Sequence, residues 1–204
     1  GWRIDYLLVS KALSKNNRML QQDYKEKVIN YSKDFIKVEI DDPTINKVEE
    51  FSKAVVKIKL QERHHFIDSS QEIKRWKNGF LGEFAVEKFI EKRFVDLSIG
   101  DSKKYHISDL TKIGLDWGIK TVEYGKFPII FKKSYKEEII VIKKTDAIFY
   151  ICGLATTEVL NKYQSDELIL SPGLRAKGTK TGFYGFSALK SPSYIKKYIS
   201  SVNN

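Results

Sequence analysis

The feature that most constrains this chain is a change of hydrophobic period near its middle. Up to about residue 92 the apolar residues recur at helical spacing. Ile73, Trp76, Phe80, Leu81, Phe84, Ala85, Phe89 and Ile90 make one such run, predicting a helix over 71–92 with Ser69 or Ser70 as its cap. Val48, Phe51, Val55 and Ile58, with the stem of Lys59, predict another over 45–64, behind the Asp41-Asp42-Pro43-Thr44 turn. After Gly100 the period falls to that of strands. Segments 106–109, 115–123, 127–132, 138–143 and 147–153 follow one another, with Gly125 and Lys143-Lys144-Thr145-Asp146 as turns of a meander. An alternating strand over 35–40 precedes them, and short helices are expected near 156–160 and over 192–202. Residues 171–186, Gly-rich, basic and aromatic, read as a loop. Helices followed by clustered strands predict an α/β (α+β) chain with a central mixed sheet flanked by helices. The expected organisation is an N-terminal helical and strand extension, 1–69, packed on a core over 70–204.

The 204 residues, 42% of them apolar, suffice for one core of ordinary size. The net charge of +10 is unevenly spread: residues 1–102 carry +2 and residues 103–204 carry +8. A polyanionic partner follows, with nucleic acid ahead of a membrane surface. A single cysteine, Cys152, lies in an apolar run and excludes a disulfide framework or a Cys-based zinc site within one chain. No apolar run approaches 18 residues, and no signal peptide opens the chain, so the expectation is a cytoplasmic, reducing location with no membrane partner.

The basic half also contains an acidic cluster, within His106–Lys126, HISDLTKIGLDWGIKTVEYGK. Asp109, Asp116, Lys120 and Glu123 all lie in it. Asp116, Gly118 and Lys120 are two apart, so a strand would point them to one face, with Trp117 on the other. Hard divalent cations take carboxylate oxygens, and a neighbouring lysine can orient water or stabilise charge on a phosphate. Glu83 is a carboxylate set among Leu81, Phe84 and Ala85 on the preceding helix. Charge marks Lys132 and Lys133, in a basic cluster with Lys136, and Arg175, Lys177 and Lys180 of the 171–186 loop as nucleic-acid contacts, and the Tyr184 ring of that loop can stack on bases. Phe183 and Phe186 read as core. His64-His65 and His106 read as surface or strand-end residues.

A helix with Gly-Glu-x-Ala-x-Glu (Gly82 to Glu87), then an Asp on a strand, then Ile119-Lys120-Thr121, resembles the PD-(D/E)xK nucleases. The resemblance covers roughly residues 70–155. It implies a restriction-endonuclease-like core, a Mg²⁺-dependent endonuclease cutting DNA (Mn²⁺ substituting), and a homodimer that cuts both strands. It implies Asp116, Glu83 and Asp109 as metal ligands, Lys120 as the assisting lysine and Glu123 as a further carboxylate. The acid expected two residues before the lysine is Gly118. Two registers compete: Asp109 leads with Asp116 in the missing place, or Asp116 leads with a helix carboxylate as its second. The alternative is a nucleic-acid-binding protein of nuclease-like fold without catalysis. GWRIDYLLVSKAL, residues 1–13, is similar to a short motif of exonuclease III-type apurinic endonucleases. No Ser-Asp-His follows, so Asp5 receives no role.

Overall fold

The computed structural model describes residues 20–59, 69–98 and 108–202. Asp5, the His64-His65 pair and His106 lie outside them. Residues 20–27 are helical (α1). Strand β1 is Ile36–Glu39, and helix α2, Asp42–Lys59, follows. The Asp41 carboxylate caps α2 by accepting the Thr44 N–H at 2.8 Å. Helix α3 is Ser69–Ile90. It stops where Glu91 turns left-handed, φ 58°. Val48, Phe51 and Val55 are buried as their spacing predicts, but Ile58 at the end of α2 is exposed.

The strands are β2 (Trp117–Glu123), β3 (Ile129–Phe131), β4 (Glu137–Lys143), β5 (Ile148–Ala155), β6 (Gln164–Ser165) and β7 (Lys180–Phe183). Four of them form a mixed sheet in the order β1-β5-β4-β2, with β2 and β4 parallel and the other pairs antiparallel. A parallel pair needs a long crossover, and the chain supplies one between Glu123 and Glu137. That crossover carries β3, which leaves the main sheet to pair with β7 in a second one, β3-β7-β6. The single meander expected from 115 to 153 is therefore split between two sheets. Helix α4 (Thr157–Lys162) connects β5 to β6, and α6 (Pro192–Val202) ends the described chain.

The sheet is covered on both faces, which explains why β4 and β5 read as nearly continuous apolar runs. On one side, Ile139, Val141, Phe149 and Ile151 pack with α2, α3 and α6. On the other, Ile140, Ile142 and Cys152 pack with α1, α4 and the second sheet through Phe127 and Phe183. Each such buried side chain contributes about 1.5–3 kcal/mol. Because β1 and α2 are part of the first of these cores, the described residues of the 1–69 segment share it with the rest.

Three expectations need correction. Residues 171–186 are not a loop: Pro172–Lys177 forms helix α5 and Lys180–Phe183 forms β7. Ser171 caps α5, Pro172 sits in its first turn, and Gly178 ends it in the left-handed region. Residues 108–109 are not strand. The segment 108–116 instead runs along the outer edge of β2, tied by the Leu110 N–H to the Trp117 carbonyl at 3.2 Å. Asp116 precedes β2 rather than belonging to it.

Candidate active site

β2 and β4 position the site. Odd-numbered β2 residues Trp117 and Ile119 face α3, while Val122 packs on the opposite side, so Gly118 and Lys120 take that opposite face. The parallel register sets Gly118 beside Glu138 and Lys120 beside Ile140. Glu138 consequently points to the same face as Gly118 and Lys120. A Cβ built on Gly118 would lie 3.1 Å from the Glu138 Oε2 and 3.2 Å from the Lys136 Cε. The space beside Gly118 is thus filled by a carboxylate from the neighbouring strand. Glu138 is 8% exposed, and its Oε1 lies 3.8 Å from the Lys120 Nζ.

Asp109 reaches the same place from the edge. Its Oδ2 accepts the Ile119 N–H at 2.5 Å, which locks the carboxylate against β2. Asp116 is exposed at the rim and accepts from the Ser108 hydroxyl. Lys136 donates to that hydroxyl at 3.1 Å. Asp109, Asp116, Lys120, Lys133, Lys136 and Glu138 all line one open cleft of about 630 Å³.

Glu83 comes in from α3. The helix can approach because residue 82 is glycine: a Cβ there would fall 1.8 Å from the Thr121 Oγ1 on β2. Gly costs about 1 kcal/mol in a helix interior, and close packing is the return here. Glu83 and Asp109 also line a second cavity of about 450 Å³, with Trp76, Phe80 and Phe94 as its apolar wall. Glu87, one turn on, accepts the N–H groups of Phe94 and Val95 at 2.8 and 2.9 Å and holds that wall in place.

The carboxyls are poised away from easy ionisation. Burial raises Asp109, against the Ile119 N–H and the charges of Lys136 and Lys120. Burial also raises Glu138, with the Asp109 charge adding to it and Lys120 and Lys136 opposing. Glu83 is raised furthest, by burial and then by the Asp109 and Glu87 charges. The cations are crowded too. Lys180 is lowered by burial and by Lys120, Arg75 and Lys177.

No protein family, curated protein or solved structure matches this chain. The site therefore stands on its own geometry.

The structure brings Asp109, Asp116 and Lys120 into one cleft and places Glu83 beside Asp109. It does not bring Glu123 there. Glu123 closes β2 three residues beyond Lys120, paired with Lys74 at 2.6 Å and Lys126 at 2.5 Å. Of the basic residues, Lys133 lines the cleft and Lys180 stands over Phe131, another cleft residue. Lys132 turns away to Asp166 at 2.6 Å. Arg175 donates to the Ile169 carbonyl at 2.6 Å, and exposed Lys177 ends α5. Tyr184 follows the opposite end of β7 from Lys180 and packs edge-on against Tyr163.

Sequence reasoning missed Glu138 and gave Lys136 no place in the site. The signal for Glu138 was present as a charged residue opening the apolar run Glu137-Glu138-Ile-Ile-Val-Ile142. What was missing was the parallel register that lays it beside Gly118.

Among the described residues, no three His, Cys, Asp or Glu side chains form a group able to hold a metal ion by themselves. Mg²⁺ is ordinarily held by one or two carboxylates, with waters and substrate phosphate completing the shell. Asp109 and Glu138 fit that smaller requirement. Both are all-oxygen donors, and the Asp109 charge raises the cost of ionising Glu138, which a cation would relieve.

Proposed function

We propose that this protein is a divalent-metal-dependent nuclease that hydrolyses DNA phosphodiester bonds, with a core of the restriction-endonuclease type. The observation that carries the reading is the position of Glu138: the acid absent at Gly118 is replaced, across the β2–β4 register, by a carboxylate 3.8 Å from Lys120. This reading replaces the two competing registers with a third. Asp109 takes the leading acid's part, Glu138 takes the second, and Asp116 stands at the rim.

Asp109 and Glu138 are the residues that would hold Mg²⁺ or Mn²⁺, with Glu83 behind Asp109. When bound, the metal polarises the scissile phosphate and lowers the pKa of a bound water. The chain's own groups do the rest. Lys120 orients the attacking water and steadies charge on the phosphoryl oxygens. Lys136 adds a second cation and, through Ser108, fixes the rim carboxylate of Asp116. The Ile119 N–H keeps Asp109 aimed at the cleft. Water adds to phosphorus and gives up a proton to solvent, one P–O ester bond breaks, and the departing oxygen takes a proton from solvent, leaving a phosphate monoester and an alcohol.

The test is cutting of plasmid and of single-stranded DNA with Mg²⁺ or Mn²⁺ against EDTA, for the wild type, Lys120→Ala and Glu138→Ala. Metal-dependent cutting that both variants abolish supports the reading; binding without cutting under every metal defeats it. The Lys120–Glu138 pair also suits a second reading, a non-catalytic nucleic-acid binder in which that contact only balances charge. Retention of DNA binding with neither substrate cut identifies that outcome.

A further inference from the structure

We infer that the cleft takes an unpaired DNA strand, with bases laid on Phe131 and Tyr135; this rests on the nuclease reading above and specifies its substrate. Two large aromatic side chains line the same cleft as Lys120 and Glu138, and both face solvent: Phe131 is 55% exposed and Tyr135 78% exposed. They lie in Phe131-Lys-Lys-Ser-Tyr-Lys136, where cations and rings are interleaved. Lys133 stands 5.3 Å from the Tyr135 ring centre, and Lys180 stands 5.3 Å from that of Phe131.

The segment is also held in shape from behind. The Asn161 side chain accepts the Ser134 N–H at 2.9 Å and donates to the Ser134 carbonyl at 3.1 Å. Gln164 donates to the Lys132 carbonyl at 3.1 Å, and Lys132 itself is bound to Asp166. These contacts satisfy the backbone and remove one lysine from the cleft. What remains turned toward it is Phe131, Lys133, Tyr135 and Lys136. Exposed rings on a backbone fixed in this way are a preformed platform, which reduces the ordering cost of binding.

Aromatic faces interleaved with cations match a single strand, whose bases offer free faces beside a phosphate chain. A duplex buries those faces in its own stack. At about 630 Å³ the cleft has the size of a small-ligand pocket, with room for a nucleotide or two.

The experiment is fluorescence anisotropy in EDTA, where nothing is cut. The probes are a labelled oligothymidine of about twelve nucleotides, within the usual span of such sites, and a labelled hairpin duplex of equal charge. The expected result is tighter binding of oligothymidine. Tyr135→Ala and Phe131→Ala should each weaken it by about 5- to 150-fold, the effect of one lost stacked base, while duplex binding shifts less than about twofold. Tyr135→Phe should retain wild-type affinity. Duplex binding as tight as oligothymidine binding, with neither alanine variant discriminating, overturns the inference. Cutting of oligothymidine and of plasmid with Mg²⁺ separates the two readings: cutting of either without aromatic discrimination removes only the single-strand inference, and discrimination with neither cut removes only the nuclease reading.

Discussion

The two ends of β2 carry carboxylates in opposite electrostatic conditions. At its far end Glu123 is clasped by the exposed amines of Lys126 and Lys74, whose hydrogen bonds bring it down to about 2. At its near end half-buried Asp109 and buried Glu138 line one cleft, and both are raised. Lysines are present at both ends, so charge count alone does not separate them. The difference is geometry. Glu123 has direct partners at ion-pair distance in solvent, an arrangement that satisfies it. Glu138 has its nearest amine at 3.8 Å and a second acid as neighbour, an arrangement that, under the nuclease reading, a bound cation would relieve.

The largest expected effect falls on activity and separates the two ends directly. Under the nuclease reading, Glu138→Ala and Lys120→Ala lower metal-dependent nicking by about 10²–10³-fold, the usual loss when one group stabilising the transition state is removed. Glu123→Ala should leave nicking within about twofold of wild type. An equal loss in all three variants would erase the distinction. The sharper version moves the acid home. Gly118→Asp together with Glu138→Ala frees the space that Glu138 occupied, and should recover about tenfold over Glu138→Ala alone, short of wild type because placement errors of an ångström are costly.

Next in size is the contact that delivers Glu83. Gly82→Ala drives a methyl group into Thr121 and pushes α3 off the sheet. The expected destabilisation is about 1–3 kcal/mol, read as a fall in the urea midpoint. An unchanged midpoint would show that α3 does not need so close an approach.

Glu83 then tests the raised end through pH. A carboxyl raised by folding contributes stability that is full below the ordinary carboxylate range and is lost as pH rises through its folded value. Glu83→Gln should therefore raise Tm at pH 8 and leave it unchanged near pH 4. In the wild type, Mg²⁺ should raise Tm more at pH 8 than at pH 5, because ionised carboxyls bind it better. A Tm gain in Glu83→Gln that is equal at both pH values would reject the linkage.

Much of this arrangement was legible in periodicity. α3, β2, β4 and β5 follow from helical and strand spacing, and Trp117 and Phe183 are core as their patterns imply. Long-range pairing was not legible. Nothing local to Gly118 says that Glu138, twenty positions on, lies beside it, because register depends on a crossover whose path is set by packing. The 171–186 segment misled for the opposite reason. Its glycines suggested a loop, yet Gly178 ends a short helix, and Gly182 lies within a strand beside Leu168 and Ser165. Composition marks where a chain can turn, and packing decides how much of it stays regular.

The smallest effect belongs to the satisfied end. Glu123 is lowered, so its contribution is present above the ordinary carboxylate range and disappears as pH falls through about 2. Taken at face value such a shift would be large. Lys126 and Lys74 are each more than half exposed, however, and solvent and salt weaken pairs of this kind. Glu123→Gln should therefore cost less than about 1 kcal/mol at pH 7, and most of that should vanish in about 1 M salt, where the screening length falls to about 3 Å. Salt should not remove the pH-dependent gain of Glu83→Gln, whose cause is first of all burial. If salt erased both effects alike, the two ends of β2 would differ in degree only, and the case for a cation site at the near end would lose its electrostatic support.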